Sequence, residues 1–299
     1  MRDRTIAVTG ASGFIGRHLV PALQDRGHRV RALTRHPSTS VIPGVETRFA
    51  DVLDPRSLPR ALEDVDTAYY LVHSMEDGSA ASFAERDRRA ADNFVRAADR
   101  VGVSRIIYLG GLGETGQGLS EHLASRAEVG RILQSGGPST TVLRAAIILG
   151  PGGTSWDMLR QLVERLPVMV TPRWVETRCQ PIALRDVLGY LVGCTAVAET
   201  AGGSFDIGGP DVLTYREMMT ILAEVRGKRR WIVDVPVLTP RLSSYWVDLV
   251  TSVPASVARP LVEGLRNEVV CRENRIRDLI PIPLTPYREA VTLALRGQA

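Results

Sequence analysis

Eight residues near the start of the chain, Thr9-Gly10-Ala11-Ser12-Gly13-Phe14-Ile15-Gly16, constrain its folding most. They follow a short β-branched run, residues 5–9, and precede apolar positions Phe14, Ile15, Leu19 and Leu23 at helical spacing. A strand must therefore turn sharply into a helix. Gly10 permits the tight turn, Gly13 lets a ligand approach the backbone, and Gly16 allows close packing of helix on strand. The helix start then offers unpaired N–H groups and the positive end of its dipole to an anion.

The pattern after this turn is regular. Residues 13–26 read as a helix closed by Gly27, and Val30–Leu33, Val45–Ala50 and Thr67–Val72 read as strands. A long amphipathic helix spans 80–101, with Phe83, Ala90, Phe94, Ala97 and Val101 on its apolar side. Arg105–Leu109 is a fifth strand. A helix over 120–135 starts at Ser120 and stops at Gly136-Gly137-Pro138, and Thr140–Leu149 is a sixth strand. Strands that alternate with helices and are apolar on both faces predict an α/β fold, a Rossmann-type doubly wound parallel sheet. Residues 1–150 form the dinucleotide-binding core. Residues 151–299 form a smaller, mostly helical C-terminal lobe integrated with it. In that lobe 203–208 and 229–235 read as strands, and Thr214 with Glu217 forms a capping box for a helix to about 226.

Composition removes several alternatives. Of the 37 basic residues, Lys228 is the only lysine. No glycine loop is followed by a lysine, which excludes a Walker A site, and Schiff-base chemistry is left one solvated candidate. The net charge is +4, but arginines are interleaved with acids, as in Glu85-Arg86-Asp87-Arg88-Arg89, and no nucleic-acid motif is present. Cys179, Cys194 and Cys271 are too scattered for a disulfide framework or a metal cluster, so a reducing, cytoplasmic compartment is expected. Neither a signal peptide nor a transmembrane run is read. Residues 240–266 mix Trp246, Leu249, Val250, Val253 and Leu261 with few charges, as a lid, a peripheral membrane contact or a buried helix would.

The end of the second strand distinguishes between dinucleotides. An acid there would hold a ribose 2′-OH, but the sequence is Ala32-Leu33-Thr34-Arg35-His36. Arg35 suits a 2′-phosphate, the alternative being a solvated arginine. NADP(H) is therefore expected in preference to NAD(H). Asp51 and Val52, after the third strand, are placed to meet the adenine.

These residues resemble the short-chain dehydrogenase/reductase superfamily in its extended and atypical branches. Leu71-Val72-His73-Ser74-Met75, Pro172-Arg173-Trp174-Val175, Gly227-Lys228-Arg229-Arg230-Trp231 and Thr251-Ser252-Val253-Pro254 resemble an atypical bacterial subgroup, the YbjT-type NAD(P)H-binding proteins. NmrA-like regulators and the NADPH-binding accessory subunit of respiratory complex I are more distantly similar. The resemblance implies NADP(H) binding through Gly10, Ser12, Gly13, Phe14, Ile15, Gly16, Arg35, Asp51, Val52, Leu71, Val72, His73, Leu109, Gly110, Arg126, Ala146 and Ile147. Active members also carry a Ser/Thr after the fifth strand and Tyr-x-x-x-Lys on the next helix. This chain has Gly110-Gly111-Leu112 and His122-Leu123-Ala124-Ser125-Arg126 there.

His122 and Arg126, at i and i+4, share one helix face. They read as a histidine acid with a ribose-holding arginine, or as a polar face that contacts cofactor without chemistry. His73 is the second candidate acid, with a structural role as its alternative. Trp156, Met158, Trp174, Arg178 and Gln180 read as core packing before pocket lining. Two functions stay open. One is an NADPH-dependent oxidoreductase acting on a small carbonyl or enone. The other is a non-catalytic NADP(H) sensor or accessory subunit acting through a protein partner. An epimerase or dehydratase is disfavoured by the missing tyrosine and lysine.

Overall fold

The computed structural model describes residues 5–36, 42–73, 80–113, 120–171, 173–234 and 264–298. Its first half alternates as the apolar pattern requires. The order is β1 (Thr5–Thr9), α1 (Gly16–Gln24), β2 (Arg29–Thr34), β3 (Glu46–Phe49), α2 (Leu58–Leu62), β4 (Thr67–Tyr70), α3 (Ala80–Arg100), β5 (Arg105–Gly111), α4 (Glu121–Gln134) and β6 (Ser139–Ala145). The second half runs β7 (Ile148–Leu149), α5 (Thr154–Arg165), β8 (Val168–Thr171), β9 (Arg178–Cys179), β10 (Ile182–Ala183), α6 (Leu184–Ala196), β11 (Ser204–Ile207), β12 (Leu213–Thr214), α7 (Tyr215–Val225), β13 (Trp231–Asp234), α8 (Arg275–Leu279) and α9 (Tyr287–Leu295).

Seven strands form one parallel sheet in the order β11-β6-β5-β4-β1-β2-β3. The chain winds outward from β1 to β3, then crosses back and winds the other way from β4. Strand order therefore reverses between β1 and β4, which opens a crevice at their carboxyl ends. Period-2 alternation sends each strand's side chains into two cores. Ile6, Val8, Tyr69, Ile107 and Leu143 pack with Leu19 and Leu23 of α1 and Val187 and Leu191 of α6. Ala7, Leu33, Ala68, Tyr70, Ile106 and Val142 pack on the opposite face with Phe94 of α3 and Leu133 of α4.

Local signals act where the sequence places them. Gly27 takes φ +79° after α1. Ser120 caps α4 by accepting from the Leu123 N–H. Thr214 and Glu217 complete both halves of a capping box on α7.

Three boundaries depart from expectation. The helix read over 13–26 begins at Gly16, because Gly10–Gly13 form the turn itself. The strand read over 140–149 divides at Ala145. Its last main-sheet bond runs from the Leu112 N–H to the Ala145 carbonyl, after which β7 leaves to pair with β10. The short strand read at 203–208 is β11, the edge of the main sheet, so the second half of the chain contributes directly to the core.

A buried arginine and an ion pair hold that edge. The Arg105 guanidinium donates to the Thr141 and Thr200 hydroxyls, tying β5 and β6 to the turn before β11. Arg144 and Asp206 stand opposite in register on β6 and β11 and form an ion pair of 2.6 Å. The remaining core lies under α5, α7 and α9, around Trp156, Met218, Leu222 and Val291.

Candidate functional site

The crevice at the β1/β4 switch point is assembled from the backbone outward. The Thr9 hydroxyl donates to the Tyr69 carbonyl at 3.0 Å and accepts from the Leu71 N–H at 2.9 Å, locking the ends of β1 and β4 together. Gly10 follows at φ +64°, and a Cβ there would lie 3.1 Å from the Leu71 carbonyl oxygen. The Gly13 N–H closes the turn onto the Gly10 carbonyl at 2.9 Å. At Gly16 a Cβ would meet the Gly10 oxygen at 2.2 Å and the Ala11 Cα at 2.6 Å. The third glycine thus lets the helix ride on the turn, which corrects the expectation of helix-on-strand packing.

Ser12 and Gly13 are exposed at the mouth of this turn. The α1 N-cap, Ile15, offers no side-chain hydrogen bond, so no capping side chain satisfies the helix's leading N–H groups. Ile15 packs into the core, while the half-buried Phe14 meets His18 edge-on and reaches Gly153. Burial, followed by the neighbouring Arg17 charge, lowers the His18 pKa. Arg17 reaches across to the Pro151 carbonyl at 2.5 Å, fastening the turn after β7 onto the start of α1.

The other expected residues lie at the carboxyl ends of adjacent strands. Arg35 directly follows β2 and is exposed. Asp51 and Val52 follow β3 in a braced turn. The Asp51 carboxylate accepts from the Leu53 N–H at 2.9 Å, Ser57 bonds both the Asp51 N–H and carbonyl, and the Asn93 amide donates to the Val52 carbonyl at 3.0 Å. Leu71 and Val72 follow β4 half-buried, on opposite cores, and His73 is exposed beside them. Leu109 and Gly110 are buried in β5. Arg126 of α4 donates to the Leu109 carbonyl at 3.4 Å, and the Tyr108 hydroxyl donates to the Arg126 carbonyl at 3.2 Å. Ala146 and Ile147 sit half-buried between β6 and β7 against the lobe core.

His122 lies by its backbone in the first turn of α4, but its side chain is outside the described residues, as is that of Trp174. Ser74, Met75 and nearly all of 240–266 are outside them too. Trp156, Met158 and Gln180 are buried core residues, and Arg178 is exposed. Burial pushes the Cys179 thiol up to about 12, which argues against a nucleophile there.

The sequence reading assigned no role to Thr9, Arg17 or Asn93. The first two flank the glycine run, which was their visible signal. Asn93 is one of several polar residues on α3 and carries none. Gly111 also gains a meaning: a Cβ there would press on Leu123 at 3.3 Å and approach Arg126 at 4.0 Å. Its glycine lets α4 close on β5.

Exposed Ser12 and Gly13 ahead of α1, the braced Asp51–Val52 turn and Arg126 near the end of β5 lie at the carboxyl ends of the strands, an arrangement that fits a dinucleotide. Among the described residues no His/Cys/Asp/Glu group suits a metal, and no helix is long and apolar enough to cross a membrane.

A family profile described as NAD(P)H-binding matches residues 10–149. Ceramide reductase of Caulobacter vibrioides is 29% identical over 236 residues, covering 77% of this chain and 73% of its own. The mitochondrial NADH dehydrogenase [ubiquinone] 1 alpha subcomplex subunit 9 of Arabidopsis thaliana is 23% identical over 305 residues, covering 94% and 75%. The crystal structure of Citrobacter sp. triphenylmethane reductase complexed with NADP(H) superposes with a TM-score of 0.77 at 21% identity, over 97% of this chain and 99% of its own. The comparisons bear out the resemblance read in the sequence as far as an NAD(P)H-binding domain over residues 10–149 on a Rossmann-like fold.

Proposed function

We propose that this chain is an NADPH-dependent reductase of an apolar carbonyl or enone. The observation that carries the cofactor reading is Arg35, exposed at the end of β2 where an NAD site would present an acid. A guanidinium there supplies forked, charge-assisted hydrogen bonds to a 2′-phosphate. The glycine turn receives the pyrophosphate, Asp51 and Val52 flank the adenine, and Leu71, Val72, Leu109, Gly110, Ala146 and Ile147 line the path to the nicotinamide. Bound there, the reduced nicotinamide supplies a hydride. Arg126 holds ribose hydroxyls and, always charged, does not relay the proton. His122, one helical turn earlier, gives the proton to the developing alkoxide, and His73 is the second candidate. Two similar proteins bear reductase names, ceramide reductase and triphenylmethane reductase, which supports an apolar substrate.

A second reading has its own observation. A Cβ at Gly111 would crowd Leu123 at 3.3 Å, and Lys228 is the only lysine in the chain. A non-catalytic NADP(H)-binding subunit would be built this way, and the similarity to an NADH dehydrogenase subunit agrees with it. Turnover separates the two. NADPH oxidation is followed with long-chain ketones, aldehydes and enones for the wild type and His122→Ala. The reductase reading expects kcat/KM to fall about 10²- to 10⁴-fold with NADPH affinity unchanged. Wild-type turnover that survives the substitution rules out His122. Tight NADPH binding with no turnover of any carbonyl favours the second reading.

A further inference from the structure

The run Gly227-Lys228-Arg229-Arg230-Trp231 serves neither the crevice nor the core. It leads into β13, which pairs parallel with β8 so that Trp231 stands opposite Val168 and Ile232 opposite Met169. On such a ladder alternate residues face opposite ways. Met169 is buried in the lobe core, with Ile232 packed against it. Their neighbours point outward: Trp231 is 72% exposed, Val168 50% and Val233 49%. An outward strand face is ordinarily polar, yet these three positions are apolar and include the chain's most exposed large hydrophobic side chain among the described residues.

Cations border this face. Arg165, Arg226 and Arg229 are exposed. Lys228 and Arg230 cross the carboxyl end of α5, where Arg230 donates to the Val163 and Glu164 carbonyls and Lys228 to that of Glu164. They thereby fix the cationic run against the lobe. Among the described residues, the acids nearby are held by arginines: Glu164 by Arg160 and Arg226, and Glu176 by Arg216, which also donates to the Ile232 carbonyl.

We propose that this face docks on an anionic lipid bilayer. Three exposed apolar side chains bury far less than the roughly 800 Å² per partner of a stable protein interface. A bilayer needs only a shallow apolar wedge, an indole at headgroup depth and cations over anionic lipid. The net charge of +4 adds a weak attraction of the same sign. This inference is independent of the reductase reading, since none of these residues belongs to the crevice.

The test is flotation of the purified full chain with phosphatidylcholine vesicles, with and without about one-third phosphatidylglycerol. Binding is expected to the anionic vesicles and to weaken as salt rises from about 0.05 M to about 0.5 M. Trp231→Ser with Val233→Ser should weaken it by about tenfold or more, and Arg229→Gln by about fivefold. All these variants should keep the wild-type thermal melt and NADPH affinity, which excludes misfolding as the cause. Absence of anionic-vesicle binding overturns the proposal, as does undiminished binding by the variants. An oligomer that Trp231→Ser with Val233→Ser dissociates, in a protein that ignores vesicles, would show the face to be a contact between copies and also overturns it.

Discussion

Gly13 and Gly16 lie three residues apart in one motif, yet the structure assigns them opposite sensitivities. A Cβ at position 16 would lie 2.2 Å from the Gly10 oxygen, 2.6 Å from the Ala11 Cα and 2.9 Å from the Ala11 carbonyl carbon. All three are backbone atoms of a turn held by the Thr9 hydroxyl, so relief requires moving the helix by about 1 Å. Overpacking of this kind costs about 1–3 kcal/mol and sometimes more. Gly→Ala returns up to about 1 kcal/mol in helix propensity and unfolded-state entropy. A net loss of about 2 kcal/mol is expected for Gly16→Ala, a fall in Tm of about 3 °C in a chain of this size. At Gly13 the added Cβ meets one atom, the Gly10 oxygen at 3.1 Å, and the residue is exposed. Gly13→Ala should therefore hold stability within about 1 kcal/mol while weakening NADPH binding by about tenfold or more, because the methyl stands where the pyrophosphate approaches. Thermal unfolding and a fluorescence titration on both variants decide it. A Gly13→Ala protein that melts like Gly16→Ala, or a Gly16→Ala protein with wild-type Tm, refutes the assignment of binding to one glycine and packing to the other.

Other consequences lie outside the motif. Arg144→Ala leaves the buried Asp206 carboxylate without its 2.6 Å partner and should cost about 3 kcal/mol in urea unfolding; a loss under about 1 kcal/mol would show that the Arg272 N–H suffices for it. Burial pulls the Glu46 pKa up, but hydrogen bonds from Arg48 and Arg31 outweigh it and hold the carboxyl below its ordinary range. A depressed folded value means stability present at neutral pH and lost on acidification, so Glu46→Gln should flatten the Tm–pH curve below pH 4.5. Burial pushes the Cys179 and Cys271 thiols up to about 12 and Cys194 to about 11. At pH 8 the buried Cys179 and Cys194 should resist iodoacetamide until the protein unfolds, as mass spectrometry would read, with half-buried Cys271 the first to react; fast labelling of native Cys179 or Cys194 contradicts their burial.

The parallel sheet was legible because its strands are short apolar runs punctuated by glycine and prolines, and because buried parallel strands need no alternation to be seen. The glycine turn was legible from spacing alone. What Gly16 packs against was not, since the Gly10 oxygen reaches it only once the turn has formed. The division of the 140–149 run was hidden because Ala146 and Ile147 are as apolar as the strand before them. No local residue marks the point where β7 changes partner. β8 went unread because only four residues separate Pro167 from Pro172, too few to show a period. The Arg144–Asp206 pair joins residues whose adjacency is set by the β6–β11 register, and Asn93 braces the Asp51–Val52 turn across a helix–loop contact. Both depend on tertiary pairing that periodicity does not encode.

The central claim is that the crevice takes NADP(H) and that Arg35 reads its 2′-phosphate. The direct measurement is a titration of the wild type and Arg35→Ala with NADPH and NADH, followed by nicotinamide fluorescence. NADPH should bind more tightly than NADH. Removing Arg35 should cost about 10- to 100-fold in NADPH affinity and leave NADH affinity nearly unchanged. Equal affinities for the two dinucleotides, or an Arg35→Ala protein that still prefers NADPH, would contradict it.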